Sequence, residues 1–341
     1  MSKASLLLLV LSVTLVLSAA SLAPKYQFIE EWQLWKTKHT KYYDSDREEL
    51  ERHLVWLSNR EYIQQHNVNY RAGVLGFKLA LNKFADMTNS EYAAQYLTYK
   101  SWDKSSKHNA KVEIYVPPTF SSWPEFVDWR QKGAISDVKN QEDCGASYAF
   151  ASIGALEGFY SLAYGKSAGL SEQNIIDCSL PEGNNACYGG NMYNTFMYIV
   201  FNDGVNTEEY YPYKGVQQMP CNFSYEEIGA TMSGIVIIRA GSETDLQAAV
   251  AFAGPVTVAV DASSTEFRFY SSGVFDNYRC SNYDINHAML VIGYGRSSDG
   301  REYWRVKNSW GTAWGEDGYI MMSRNRYNQC GIATDASYPS L

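Results

Sequence analysis

The 341-residue sequence predicts an α+β protein of two lobes, preceded by a separate charged, helix-forming segment. Three observations carry this. Helical periodicity fills Glu48 to Asn67 and returns at Ala149, β-rich runs punctuated by glycine take over from Ile235, and all six cysteines lie from Cys144 onward. A hydrophobic content of 45%, with 15% aromatics, is enough for a large core and argues against general disorder.

The chain opens with Met1, Ser2 and Lys3, an apolar run from Leu6 to Leu17, and the small residues Ser18 to Ser21. This reads as a secretory signal peptide over 1–20, since a membrane-spanning helix needs roughly 20 apolar residues. The expected location is therefore secreted, either extracellular or in a secretory or lysosome-like compartment. Glu48, Arg52, Trp56, Asn59, Ile63 and Asn67 follow one another at intervals of three or four and share one helix face. A polar linker, Lys100 to Lys111, leads through Pro117 and Pro118 to Trp123-Pro124. The boundary is set there, giving a front segment 21–122 and a main domain 123–341.

Within the main domain, Phe150, Ile153, Leu156 and Tyr160 give Ala149–Tyr164 a helical pattern that stops at Gly165, which places Ser147 at a helix amino terminus. Strands are expected over Gly254–Val260, Ala288–Gly293 and Glu302–Val306.

The formal charge of −8 is divided unevenly. From Trp123 onward 14 of the 29 Lys and Arg stand against 25 of the 37 Asp and Glu, so this part carries −11 and the front +3. The two parts attract. An acidic domain without a basic stripe excludes nucleic acid as a partner, because phosphate neutralisation needs clustered cations. Cys144, Cys178, Cys187, Cys221, Cys280 and Cys330 are an even set behind a signal peptide and read as three disulfides, with 15 pairings open. One histidine and no CxxC pair in the main domain speak against a metal site, and no cofactor is expected.

Cys144-Gly145-Ala146-Ser147-Tyr148 resembles the nucleophile segment of papain and cathepsin proteases, C-G-[SA]-C-[WY], with Ser147 at the second cysteine. His287 in Asn286-His287-Ala288-Met289 and Asn308 in Asn308-Ser309-Trp310-Gly311 match the rest of that site in order. The front helix face resembles the inhibitory pro-region of cathepsin L-like zymogens. Asn82, Phe84 and Asp86 match the motif that follows it, with Ala80 in place of its first glycine.

The resemblance implies a papain-like two-lobed fold, one lobe helical and one β-barrel-like, inhibited by its own pro-region. It also implies an oxyanion role for Gln141, shielding of the Asn–His pair by Trp310, a cleft wall at Gly189 and Gly190, and Asp335 at the floor of the main specificity pocket. The implied disulfides are Cys144–Cys187, Cys178–Cys221 and Cys280–Cys330.

Within that family, the serine at the nucleophile position and Leu170-Ser171-Glu172-Gln173-Asn174-Ile175-Ile176-Asp177-Cys178 are similar to the silicateins, sponge proteins of silica spicules. This implies hydrolysis of silicon alkoxides, condensation of silicic acid and self-association into filaments. The serine run that silicateins often carry before the histidine is here Cys280-Ser281-Asn282-Tyr283-Asp284. Asn222-Phe223-Ser224 is a glycosylation sequon, and 27 tyrosines exceed what one core needs.

The serine decides the expected mechanism. A hydroxyl is too weak an acid to form the thiolate–imidazolium pair of a cysteine enzyme, so His287 must take its proton during attack. Asn308 is expected to accept a hydrogen bond from Nδ1–H through its side-chain carbonyl and leave Nε2 as the base. An amide cannot neutralise the imidazolium, so peptide hydrolysis should be slow. A weak serine-version peptidase and a non-catalytic scaffold are the alternatives.

Overall fold

In the computed structural model, residues 28–102, 111–119 and 123–341 are described, and the signal peptide expected over 1–20 lies outside them. The described chain divides into two units, one of residues up to Tyr62 together with Leu81–Met87, the other of the remainder.

In the first unit, helix α1 (Ile29–Lys38) carries Glu30 and Glu31 in its first turn and Lys36 and Lys38 in its last, matching the helix dipole at both ends. Helix α2 (Asp46–Arg71) begins with three acids. Its predicted face buries Trp56, and Trp32 stacks on Trp35 and His53 at 5.2 and 5.0 Å. Leu81–Met87 has no regular structure of its own, so its carbonyls are met by side chains. Trp35 Nε1 donates to Asn82 O at 3.0 Å and Asn59 Nδ2 to Ala85 O at 2.9 Å. Buried Asp86 accepts from Lys41 Nζ and Tyr43 Oη at 2.9 and 3.0 Å.

In the second unit, the Asn67 amide both donates to Leu79 O (2.8 Å) and accepts from Leu79 N–H (3.0 Å), which anchors strand β1 (Phe77–Leu79). Helix α3 (Asn89–Tyr96) starts on a capping box of Thr88 and Glu91. Strands β2 (Lys111–Ile114) and β3 (Val127–Asp128) follow. Helix α4 (Ser147–Tyr164) buries Phe150, Ile153 and Leu156, and Gly165 closes it at φ 71°. Gly158 lets it approach closely, since a Cβ there would meet Pro255 Cγ at 2.5 Å. Helices α5 (Glu172–Cys178) and α6 (Met192–Phe201), capped by Ser171 and Asn191, complete the helical lobe with the two-stranded pair β4 (Val205–Asn206) and β5 (Ile228–Ala230).

The other lobe is built from β6 (Gly234–Ile237), α7 (Glu243–Phe252), β7 (Val256–Val260), α8 (Thr265–Arg268), β8 (Tyr270–Phe275), β9 (His287–Arg296), β10 (Glu302–Lys307), β11 (Tyr319–Ser323) and β12 (Ala336–Ser340). The sheet order is β1-β8-β11-β10-β9-β7-β12-β6-β2, with β3 on β9. Strand β7 and all of β9 but its last residue are buried, as expected for continuous apolar runs in the middle of a sheet. The fold is thus α+β and two-lobed, behind a helical front segment. The three disulfides are Cys144–Cys187, Cys178–Cys221 and Cys280–Cys330.

Candidate active site

Ser147 is the first residue of α4, and its N-cap, Ala146, supplies no side-chain bond. The Ala149 N–H already bonds back to the Ala146 carbonyl at 2.9 Å, whereas the N–H of Ser147, as the first helical residue, has no acceptor within the helix. The Ser147 side chain is fully buried, and its Oγ accepts from the Ala288 N–H at 3.2 Å. His287 opens β9, and Asn308 follows the end of the neighbouring β10, so sheet pairing brings them together.

His287 Nε2 meets Asn308 Oδ1 at 2.8 Å, and the same oxygen accepts the Ser309 N–H at 2.8 Å. This corrects the expected tautomer. The far ring nitrogen reaches the Asn308 side, so Nε2 carries the proton and Nδ1 is the free base. Nδ1 is buried without a hydrogen-bond partner of normal geometry, so it is not engaged with Ser147 in this form.

Trp310 lies on the imidazole at 4.6 Å between ring centroids and is itself crossed edge-on by Trp314 at 5.1 Å. Gln141 is fully buried. Its Nε2 donates to Cys144 O at 2.8 Å and its Oε1 accepts from Ser309 Oγ at 2.6 Å, which ties the loop before Ser147 to the loop after Asn308. Ser147, His287, Asn308, Gln141 and Trp310 are therefore one connected group.

The front segment runs through this site. Tyr92 and Tyr96 of α3 face Trp310 edge-on at 5.9 and 6.2 Å. Tyr92 Oη donates to Ala262 O at 3.0 Å, and Tyr96 Oη to Asp143 at 2.8 Å. Thr98 Oγ1 donates to Gly145 O at 2.7 Å. Next, the Tyr99 N–H donates to Asn286 O and the Lys100 N–H to Gly190 O, both at 3.1 Å, and Trp102 stacks on Tyr193 at 4.2 Å.

A Cβ on Gly189, at φ 113°, would meet the Thr98 carbonyl oxygen at 2.1 Å, so only glycine permits this approach. Tyr99 is 5% exposed, and its hydroxyl donates to Asp335 Oδ2 at 2.5 Å. The structure thus places Gly189, Gly190 and Asp335 along the strip occupied by residues 98–100. Sequence reasoning missed Tyr92, Tyr96 and Tyr99, which it did not single out among the 27 tyrosines. The spacing of four between Tyr92 and Tyr96 was the available signal for one buried helix face, whereas Tyr99 lies beyond the helix end and carried no such signal. Asn222 is exposed.

Tyr99→Phe removes the hydroxyl and takes that donor from the half-buried Asp335, a loss of roughly 1 kcal/mol or more. Cleavage of the 97–102 stretch by an added protease should then accelerate about tenfold or more, and an unchanged rate would show that the carboxylate contact does not hold the segment.

Burial holds the His287 pKa down at about 4, against weaker opposing effects of the Asn308 bond and the Tyr96 backbone. Opening of the segment rehydrates the ring on one side and lets its pKa rise back toward the ordinary 6.5, while Trp310 still covers the ring at 4.6 Å. The closed form therefore binds fewer protons between these values. Its stability is fully present above about pH 6.5 and falls as the pH drops toward 4. Lowering the pH from about 7 to about 5 should open the segment more often, by up to about 20-fold by this linkage. Hydrogen exchange at the Tyr99 and Lys100 amides, corrected for intrinsic rates, reads this, and the His287→Gln variant should lose most of the dependence.

The comparisons agree with this geometry. Residues 123–340 match the family model described as papain family cysteine protease, and residues 32–92 match the cathepsin propeptide inhibitor domain (I29). A silicatein of Petrosia ficiformis is 46% identical over 325 residues, covering 92% of this chain and 95% of its own. Cathepsin L of Sarcophaga peregrina is 43% identical over 336 residues, covering 98% and 99%. The structure of digestive procathepsin L 3 from Tenebrio molitor larval midgut superposes with a TM-score of 0.85 at 41% identity, covering 93% of this chain and 100% of that one. The chain belongs to the papain family, as a cathepsin L-like hydrolase with an I29 propeptide.

Proposed function

We propose that the protein is a silicatein-type hydrolase whose Ser147 attacks silicon alkoxides and whose products condense as silica. The observation that carries this is the serine at the head of α4 beside an intact His287–Asn308 pair. In the proposed step, Ser147 Oγ bonds to silicon while its proton passes to His287 Nδ1. The Si–O bond to the alkoxide breaks, and the leaving oxygen takes that proton to depart as an alcohol. Water, deprotonated by the same nitrogen, then cleaves the silyl–serine bond and restores the hydroxyl.

Asn308 keeps the ring in the Nε2–H tautomer that this requires. The Ser147 N–H and the second Nε2 hydrogen of Gln141 stabilise the charged five-coordinate silicon. Silicon accepts a fifth ligand readily, so the weak serine nucleophile is better matched to an alkoxide than to a peptide.

The reading includes secretion after loss of residues 1–20, a pro-region over 21–122, a mature domain over 123–341, a glycan on Asn222 and self-association of the mature form. Gly189, Gly190 and Asp335 would bind substrate where the pro-region now lies. Similarity to cathepsin L favours a second reading, a serine-version peptidase. Side-by-side assay of the processed protein on a silicon alkoxide and on peptides tests both. Turnover of the alkoxide with negligible peptide cleavage is expected, and the reverse outcome gives the second reading.

A further inference from the structure

Both ends of the large sheet are strands that precede residue 123. The order begins with β1 (Phe77–Leu79) on β8 and ends with β2 (Lys111–Ile114) on β6. The two ends differ. The β1–β8 ladder is short and shifts register between Lys78 and Leu79, an irregularity that discourages further pairing. The β2–β6 ladder is parallel and uninterrupted, pairing Lys111 with Gly234, Val112 with Ile235, Glu113 with Val236 and Ile114 with Ile237, and it continues in a bond from the Tyr115 N–H to Ile237 O at 2.8 Å.

All four side chains of β2 are exposed, so it holds β6 by main-chain hydrogen bonds and contributes little buried apolar surface. Lys111 and Glu113 pair with each other at 2.9 Å on its surface. Such a charged outer strand is a usual way of blunting a sheet edge. The strand beneath is of the opposite kind. Gly234-Ile235-Val236-Ile237, continued by Ile238, is uncharged and β-branched, and Ile235 and Val236 are buried. Gly234 also admits a neighbouring backbone at close range, since a Cβ there would meet Lys111 O at 2.4 Å.

We propose that β2 is a removable edge cap, and that its loss with the pro-region exposes β6 to antiparallel pairing with β6 of a second copy of this chain. The partner is a second copy because an antiparallel β6–β6 pair is self-complementary about a two-fold axis, each edge offering the other the same row of donors and acceptors. No charge within 234–238 opposes like charge across that axis. Arg239, just beyond, is engaged with Asp245 at 2.9 Å. The inference rests on removal of the segment before Trp123 and is independent of the reaction catalysed.

The test uses the full chain with an engineered protease site placed either within 103–110, upstream of β2, or within 120–122, downstream of it. Both cuts detach the inhibitory helices, but only the second frees β2. Molar mass is measured by sedimentation on fractions that mass spectrometry shows to have lost the severed piece. The expected result is a monomer after the upstream cut and a doubled mass after the downstream cut. A synthetic peptide of Lys111–Val116 should return the dimer to monomer, whereas the same peptide with Glu113→Pro, which lacks a ladder donor, should not. A monomer after both cuts at the same micromolar concentration overturns the proposal, as does a dimer that forms equally after both or ignores the peptide. Alkoxide turnover is not read, so loss of the catalytic reading leaves this result standing.

Discussion

Ser147→Ala and His287→Ala are each expected to abolish most silicon alkoxide hydrolysis by the processed protein, lowering the initial rate about 10²-fold or more, and the double variant should be scarcely worse than either. Attack and proton removal are one event, so either deletion disables the pair and the losses do not add. General-base assistance alone contributes about 10²–10⁴. The structure sharpens the expectation for the histidine. Nε2 is committed to Asn308 at 2.8 Å, which leaves Nδ1 as the single nitrogen able to take the serine proton. Asn308→Ala should therefore also slow the reaction, by freeing the ring to adopt the other tautomer, while leaving some activity. Residual turnover in all variants comes from the Ser147 N–H and Gln141 and from uncatalysed condensation of silica. The measurement is initial alcohol release near neutral pH, with circular dichroism confirming the fold. Parental rates in both single variants would remove catalysis from this pair and leave the scaffold reading.

Ser147→Cys should raise peptide hydrolysis by the processed protein by about 10²-fold or more. A thiol at a helix amino terminus beside an imidazole ionises, where a hydroxyl does not. The rest of the cleft already handles an extended backbone. Asn286 O and Gly190 O accept main-chain N–H groups from residues 99 and 100, and Asp335 accepts the Tyr99 hydroxyl. The gain should be largest for peptides that place tyrosine or a basic residue at the position Tyr99 occupies, and Asp335→Asn should erase that preference while sparing other peptides. The processed form matters, because burial under the pro-region holds His287 neutral down to about pH 4 and so disfavours the ion pair. A folded Ser147→Cys variant with no gain on any peptide would mean that the cleft is unsuited to peptides, and the peptidase reading would lose its support.

The sequence by itself determined the parts whose signals are local. The periodicity of Phe150, Ile153 and Leu156 and the stop at Gly165 placed α4 and set Ser147 at its first residue. The apolar runs placed β7, β9 and β10, and the α2 face was read from the spacing of Glu48 to Asn67. The motif residues of the site were legible as types in order, which is why they could be named before their distances were known.

Only the tertiary structure decided what depends on meetings between distant segments. Which nitrogen of His287 faces Asn308 follows from how β9 and β10 lie side by side, and no sequence period encodes a ring orientation. That Tyr99 ends on Asp335, 236 residues away, could not be read from either neighbourhood. Lys139, Glu157, Glu172 and Lys307 look like ordinary surface charges in the sequence, yet the fold gathers them behind Asn308. There Lys139 bridges Glu157 and Glu172, and Lys307 reaches the Ser136 carbonyl at 2.7 Å. Burial pushes Glu172 up to about 7 and Lys307 down to about 8. The two edge strands escaped notice for the same reason. Three or four residues of β1 or β2 carry too little pattern to be recognised, and they are strands because β8 and β6 present open rows of hydrogen-bonding groups beside them.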